Sequence, residues 1–333
     1  MSQIRLIFFA AILTLALPFY AQEAYSEETD RISMEVQNRI EQARLETDRG
    51  DYYPAKDNLK KALELSESID DKKTQGTIYT KLAKLEFLIE EPNQAVLYLQ
   101  KAQQIQRDIE DYANLALTYN IRGYISSSFG QYQTALDYYQ SAHTKFEEEN
   151  LEQYIPEVLL NEAKVYIKLK DYDTAKDKLE SSIVLAKKHD EKRVLANALI
   201  QNGKVNCAEG NLEMALTLVE EGMDFASSAE IAETLNEGYL SLSKIYEKLG
   251  DYKSSNTNLK KHLKLSDSIL DIKRDNLSPE KRAQYVNQYK IAENEELKAQ
   301  IDEADAESNL SRITTILSIS LITILSLLTL SLY

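Results

Sequence analysis

Apolar residues return along this chain at three- and four-residue intervals, as in Ile78, Leu82, Leu85 and Ile89, the spacing of one helix face. The stripes are punctuated every 40 residues. Ala55, Ala95, Ala135, Ala175 and Ala215 stand in register, with Ser255 in the sixth slot. Twelve residues before each stands another small residue: Ala43, Ala83, Gly123, Ala163, Gly203 and Ser243. Between the two rows lies a turn, Gly50-Asp51-Tyr52, Gly130-Gln131-Tyr132, Lys170-Asp171-Tyr172, Gly210-Asn211-Leu212 or Gly250-Asp251-Tyr252. The pattern predicts pairs of antiparallel helices. Small residues at the contact let ridges of one helix enter grooves of the other, and the turn glycine supplies a positive φ at the end of the first helix. A fixed period of this size is the signature of a solenoid, which binds more often than it catalyses.

These residues resemble the tetratricopeptide repeat (TPR): Gly or Ala, then Gly-Asp-Tyr, then Ala, an aromatic or Leu, and Ala. The second helices fit too, as in Ala135-Leu136-Asp137-Tyr138-Tyr139-Gln140-Ser141-Ala142. The resemblance covers residues 36–277 as six repeats, with Glu90-Glu91-Pro92-Asn93 at an atypical turn and His262 where a small residue belongs. It implies an all-α, right-handed superhelix. The family repeat is about 34 residues, so 40 implies helices longer by nearly a turn.

The ends differ from the repeats. Arg5, the apolar run Leu6 to Leu17 and Ala21 read as an export signal over 1–21, with an uncleaved anchor as the alternative. Residues 22–35 then form a linker. Ser278-Pro279-Glu280 is a helix start, and Lys281 to Arg312 holds no Gly or Pro, so 278–312 reads as a capping or stalk helix. A homodimer through that stalk is a further expectation. Ile313 to Tyr333 carries no charge, and as a helix it would extend roughly 32 Å, enough to span a bilayer. Basic residues would be wanted beyond Tyr333 on the cytoplasmic side, so the segment is either a bare tail anchor or the start of a cytoplasmic continuation.

This order of parts resembles bacterial membrane signalling proteins with periplasmic TPR arrays. The matching residues are His262-Leu263-Lys264-Leu265-Ser266-Asp267-Ser268-Ile269, Tyr289-Lys290-Ile291-Ala292-Glu293-Asn294-Glu295-Glu296-Leu297 and the apolar tail. In that group the output is a histidine kinase, a diguanylate cyclase or a DNA-binding domain, and none is visible here. The resemblance implies the sensory part of a protein in the bacterial inner membrane, repeats in the periplasm. The alternative is a membrane-tethered scaffold for envelope assembly.

Charge and chemistry narrow this reading. With 39 Lys and Arg against 54 Asp and Glu, the net charge is −15, which argues against nucleic acid as a partner. The single cysteine, Cys207, excludes an internal disulfide. His143, His189 and His262 lie far apart, and no metal, cofactor or phosphate-binding motif and no catalytic constellation is present. The chain reads as no enzyme. One row is not demanded by the fold. The residue after each small residue of the first helices is Arg44, Lys84, Tyr124, Lys164, Lys204 or Lys244. In TPR arrays this position faces the concave groove. With Asn120 and Asn197 nearby, the row points to a protein or peptide ligand of acidic character; Glu157 and Glu237 are the groups that would instead neutralise it.

Overall fold

The computed structural model describes residues 26–275, except 48 and 230. They lie in one compact unit that ends at Asn276. The export signal of 1–21, the stalk of 278–312 and the span of 313–333 fall outside the described residues. Among the described residues no helix is long and apolar enough to cross a membrane.

Every regular element described is helical. The order is α1 (26–47), α2 (Tyr52–Ser68), α3 (Lys72–Leu88), α4 (Pro92–Asp108), α5 (Tyr112–Ser128), α6 (Tyr132–Glu148), α7 (Ile155–Leu169), α8 (Tyr172–Lys188), α9 (Lys192–Glu209), α10 (Leu212–Ser228), α11 (Ala232–Lys248) and α12 (Tyr252–Asp275). A 3-10 turn, Glu152–Tyr154, precedes α7. Helix α1 starts within the stretch expected to be linker.

The small residues mark the closest approaches. Ala43, Ala55, Ala83, Ala95, Ala135, Ala163, Ala175 and Ala215 are all buried to 1% exposure or less. At Gly123 a β-carbon would lie 2.5 Å from the Tyr139 ring, and at Gly203 it would lie 2.5 Å from Val219 and 3.0 Å from the Ala215 carbonyl oxygen. In the sixth pair the Ser243 and Ser255 hydroxyls stand 3.1 Å apart and hydrogen-bond across the contact. His262, the misfit of the last repeat, meets the Asn236 carbonyl through Nδ1 at 3.1 Å.

The turns follow one plan. Gly50, Gly130, Gly210 and Gly250 take positive φ, and Glu90 and Lys170 take the same conformation in the other two repeats. The next amide then donates back to the carbonyl five residues earlier, as in Asp51 to Glu46 at 2.8 Å and Gln131 to Ser126 at 3.0 Å. This closure satisfies carbonyls that the helix end leaves open. The turns between repeats do the same with no glycine, using Asp70, Glu110, Asn150 and Asp190 at φ of 53–57°. Asp171 and Asp251 cap α8 and α12 by accepting from the Thr174 and Ser254 amides. Asp171 and Asp251 are thus structural groups, whereas Asp51 of the first Asp-Tyr turn makes no side-chain cap.

Consecutive helices pack as pairs, and odd helices also touch odd helices: α3–α5, α5–α7, α7–α9 and α9–α11. The odd helices therefore form a continuous inner layer and the even helices the outer one. Two buried carboxylates tie the layers together. Glu86 on α3 pairs with Lys56 on α2 at 2.8 Å, and Glu162 on α7 pairs with Lys178 on α8 at 2.6 Å.

Candidate ligand-binding cleft

Three clefts among the described residues open on the inner layer. Arg44 and Lys84 line a small one of about 110 Å³. Lys84, Asn120, Tyr124, Lys164 and Asn197 line one of about 530 Å³ that crosses α3, α5, α7, α9 and α11. Lys204 and Lys244 line a third of about 760 Å³. Glu237 borders both larger clefts. All eight residues singled out by the repeat register therefore open into the inner wall, but not into one cavity.

Their electrostatics differ from a bare basic row. Arg44 is held by Glu41 at 2.6 Å, and Lys204 by Glu237 at 2.6 Å. Glu157 pairs at 3.0 Å with Arg193, a residue outside the basic row. Burial works to raise the Glu237 carboxyl, but the charge and hydrogen bond of Lys204, a hydrogen bond from Gln201 and the charge of Lys164 outweigh it, so the group sits below the usual carboxylate range. Burial pushes the Lys164 ammonium down, with Lys204 and Arg193 adding to the effect, while Glu237 and Glu157 pull the other way. Lys84, Lys164 and Lys244 have no ion-pair partner among the described residues. Two of the five basic positions are thus neutralised from within the protein.

The polar floor is made of amides. Asn161 Nδ2 donates to Asn120 Oδ1 at 3.1 Å. Asn197 Nδ2 donates to the Arg193 carbonyl at 3.1 Å and to Thr234 Oγ1 at 2.9 Å. Sequence reasoning missed Asn161, Arg193 and Thr234. Asn161 could have been found by the same 40-residue register, because the position two residues before the small residue also lines the cleft. At the other end Tyr124 is 51% exposed and meets Phe87 edge to face, ring centres 5.5 Å apart. Among the described residues no cluster of His, Cys, Asp or Glu is arranged to hold a metal ion.

Paired helices with small residues at each crossing, left-handed turns and an inner layer of first helices define a TPR-like helical repeat protein. A model of the family described as anaphase-promoting complex subunit 5 matches residues 44–124 and 119–206, which cover less than half of the chain. The apo form of RapI superposes with a TM-score of 0.59 at 14% identity, over 75% of this chain and 92% of that one. A Rap protein complexed with competence and sporulation factor gives a TM-score of 0.56 at 15% identity, over 74% and 81%. A signal transduction ATPase with numerous domains and a tetratricopeptide repeat sensor, from Pyrococcus horikoshii, gives 0.55 at 25% identity, over 75% of this chain but 39% of that one. No curated protein matches the sequence.

Proposed function

We propose that the array is a non-catalytic module that holds a segment of a partner protein or a peptide along the inner layer. The observation that carries this is the cleft of about 530 Å³, walled by five successive first helices and lined by both amides and apolar groups. Amide side chains suit the hydrogen-bonding groups of a peptide backbone, and the apolar groups offer area to bury. The Rap protein in complex with competence and sporulation factor supports the reading as a case of this fold with a bound factor.

In the fuller proposal, residues 1–21 export the array, 313–333 anchor it in the bacterial inner membrane and 278–312 join the two. The array is then the periplasmic sensory part of a membrane signalling protein. The tetratricopeptide repeat sensor of the Pyrococcus horikoshii ATPase supports a sensory use of the fold. A membrane-tethered scaffold for envelope proteins is the alternative. The test is partner capture by the full chain over a salt series, against a Lys164→Glu, Lys204→Glu variant. Reversing both charges puts two new carboxylates beside Glu237 and Glu157. Captured partners should fall away in the variant at low salt. Equal capture by a folded variant would remove the inner wall as the binding surface.

A further inference from the structure

The inner wall is not uniform, and the third repeat departs from the rest. Counting from the small residue of each first helix, three positions recur in the lining of the cleft of about 530 Å³: six before, two before and one after. Six before stand Gln37, Thr77, Leu117, Glu157, Asn197 and Glu237. Two before stand Glu41, Lys81, Ile121, Asn161, Gln201 and Ser241. One after come Arg44, Lys84, Tyr124, Lys164, Lys204 and Lys244. In each row the α5 residue alone is apolar or aromatic. Leu117, Ile121 and Tyr124 are spaced by four and three, so they form one stripe on a helix face.

Leu117 and Ile121 touch the core with their buried sides, but the five other repeats carry polar or charged groups at the same places, so the repeat does not demand an apolar residue there. Leu117 and Ile121 stay half-buried and Tyr124 is exposed, all three lining the cleft of about 530 Å³. Phe87 and Leu88 of α3 extend the apolar surface, and Leu88 is 38% exposed. Lys84 stands at the same end, exposed and with no ion-pair partner among the described residues. At the other end Glu157 pairs with Arg193 and Glu237 with Lys204, while Lys164, also without an ion-pair partner among the described residues, is half-buried rather than exposed like Lys84.

Resting on the peptide-binding reading of this cleft, we infer that the α3–α5 end is an anchor pocket for one large aliphatic or aromatic side chain of the partner segment, and that Lys84 receives a carboxylate adjacent to that side chain. Selectivity then sits in Leu117, Ile121, Tyr124 and Lys84, not in the basic row as a whole. A few desolvated anchors carry most of the affinity of such interfaces, with rim charges setting steering and register.

The test presents the purified full chain with a phage-displayed library of random ten-residue peptides. Selected peptides should share Phe, Tyr, Leu or Ile at one position and Asp or Glu beside it. Ile121→Asn and Tyr124→Lys introduce residue types that α7 already carries at Asn161 and Lys164; Tyr124→Lys is expected to melt like the parent, whereas Ile121→Asn also removes a core contact and is compared at a temperature where circular dichroism shows it folded. Each should weaken the selected peptides by about tenfold or more, whereas Lys84→Glu should remove only the acidic preference. Peptides that bind the cleft without an apolar consensus, or that bind both α5 variants as tightly as the parent, overturn the anchor pocket and leave peptide binding standing. A library that yields no binder overturns both.

Discussion

Gly203 and Gly238 are both buried in inner-layer helices, yet an alanine at each should behave differently. A β-carbon on Gly203 would lie 2.5 Å from Val219 Cγ2, 3.0 Å from the Ala215 carbonyl oxygen and 3.3 Å from the Val219 amide nitrogen. Two of these are backbone atoms of α10, so relief requires α9 and α10 to move apart. A β-carbon on Gly238 would meet Met223 at Cγ, 2.5 Å, and Sδ, 2.8 Å. That side chain is flexible and can turn aside. Alanine gains about 1 kcal/mol over glycine in a helix interior, and overpacking costs about 1–3 kcal/mol. Gly203→Ala should therefore lose up to about 2 kcal/mol, while Gly238→Ala should be neutral or stabilising. Urea unfolding of the purified array followed by circular dichroism gives the ranking. Because repeats couple only to neighbours, hydrogen exchange should show the loss concentrated in α9 and α10. Gly203→Ala as stable as Gly238→Ala would refute the account of the small-residue row.

Two further outcomes rest on contacts of the array and a third on the proposed topology. Lys56→Met strands the Glu86 carboxylate, which is 1% exposed, and should cost about 3 kcal/mol or more; adding Glu86→Met should recover much of it, and a double variant no better than the single would contradict the pairing. Lys164→Met should stabilise the array at neutral pH, because burial depresses the Lys164 ammonium: a depressed folded-state lysine is a cost below its folded pKa that fades as pH rises towards the unfolded lysine range. The gain in melting temperature should accordingly shrink in alkali, and a gain independent of pH would assign it to packing alone. An alkaline phosphatase fused after Arg312 should be active in the proposed topology, whereas an inactive fusion would place that point of the chain in the cytoplasm.

Much of the fold was legible because its determinants are chemically rare. Only a small residue fits where Gly123 meets Tyr139, and glycine is the cheapest residue at the positive φ of Gly130 or Gly210, so both positions announce themselves at a fixed interval. The turns at Asp70, Glu110 and Asp190 take the same conformation without glycine and give no comparable signal. The positions that line the clefts were legible in the sequence, and so was Glu237 as a neutralising group, but the partner of Glu157 was not. Lys204 meets Glu237 and Arg193 meets Glu157 across neighbouring helices, and the stagger that selects these partners is set by side-chain packing between the helices. The apolar stripe of α5 is visible in the sequence once the register is extended from one inner-wall position to three. A single row shows only the exception at Tyr124.

The most direct test of the binding account is photocrosslinking in living cells that express the full chain. A photoreactive phenylalanine analogue at Tyr124 lies in the cleft that crosses α3 to α11, and one at Val184, 65% exposed on α8, lies outside all three clefts. The account predicts a discrete adduct from position 124, absent from position 184 and lost in the Ile121→Asn background. Equal adducts from both positions, or adducts from position 184 alone, would contradict it.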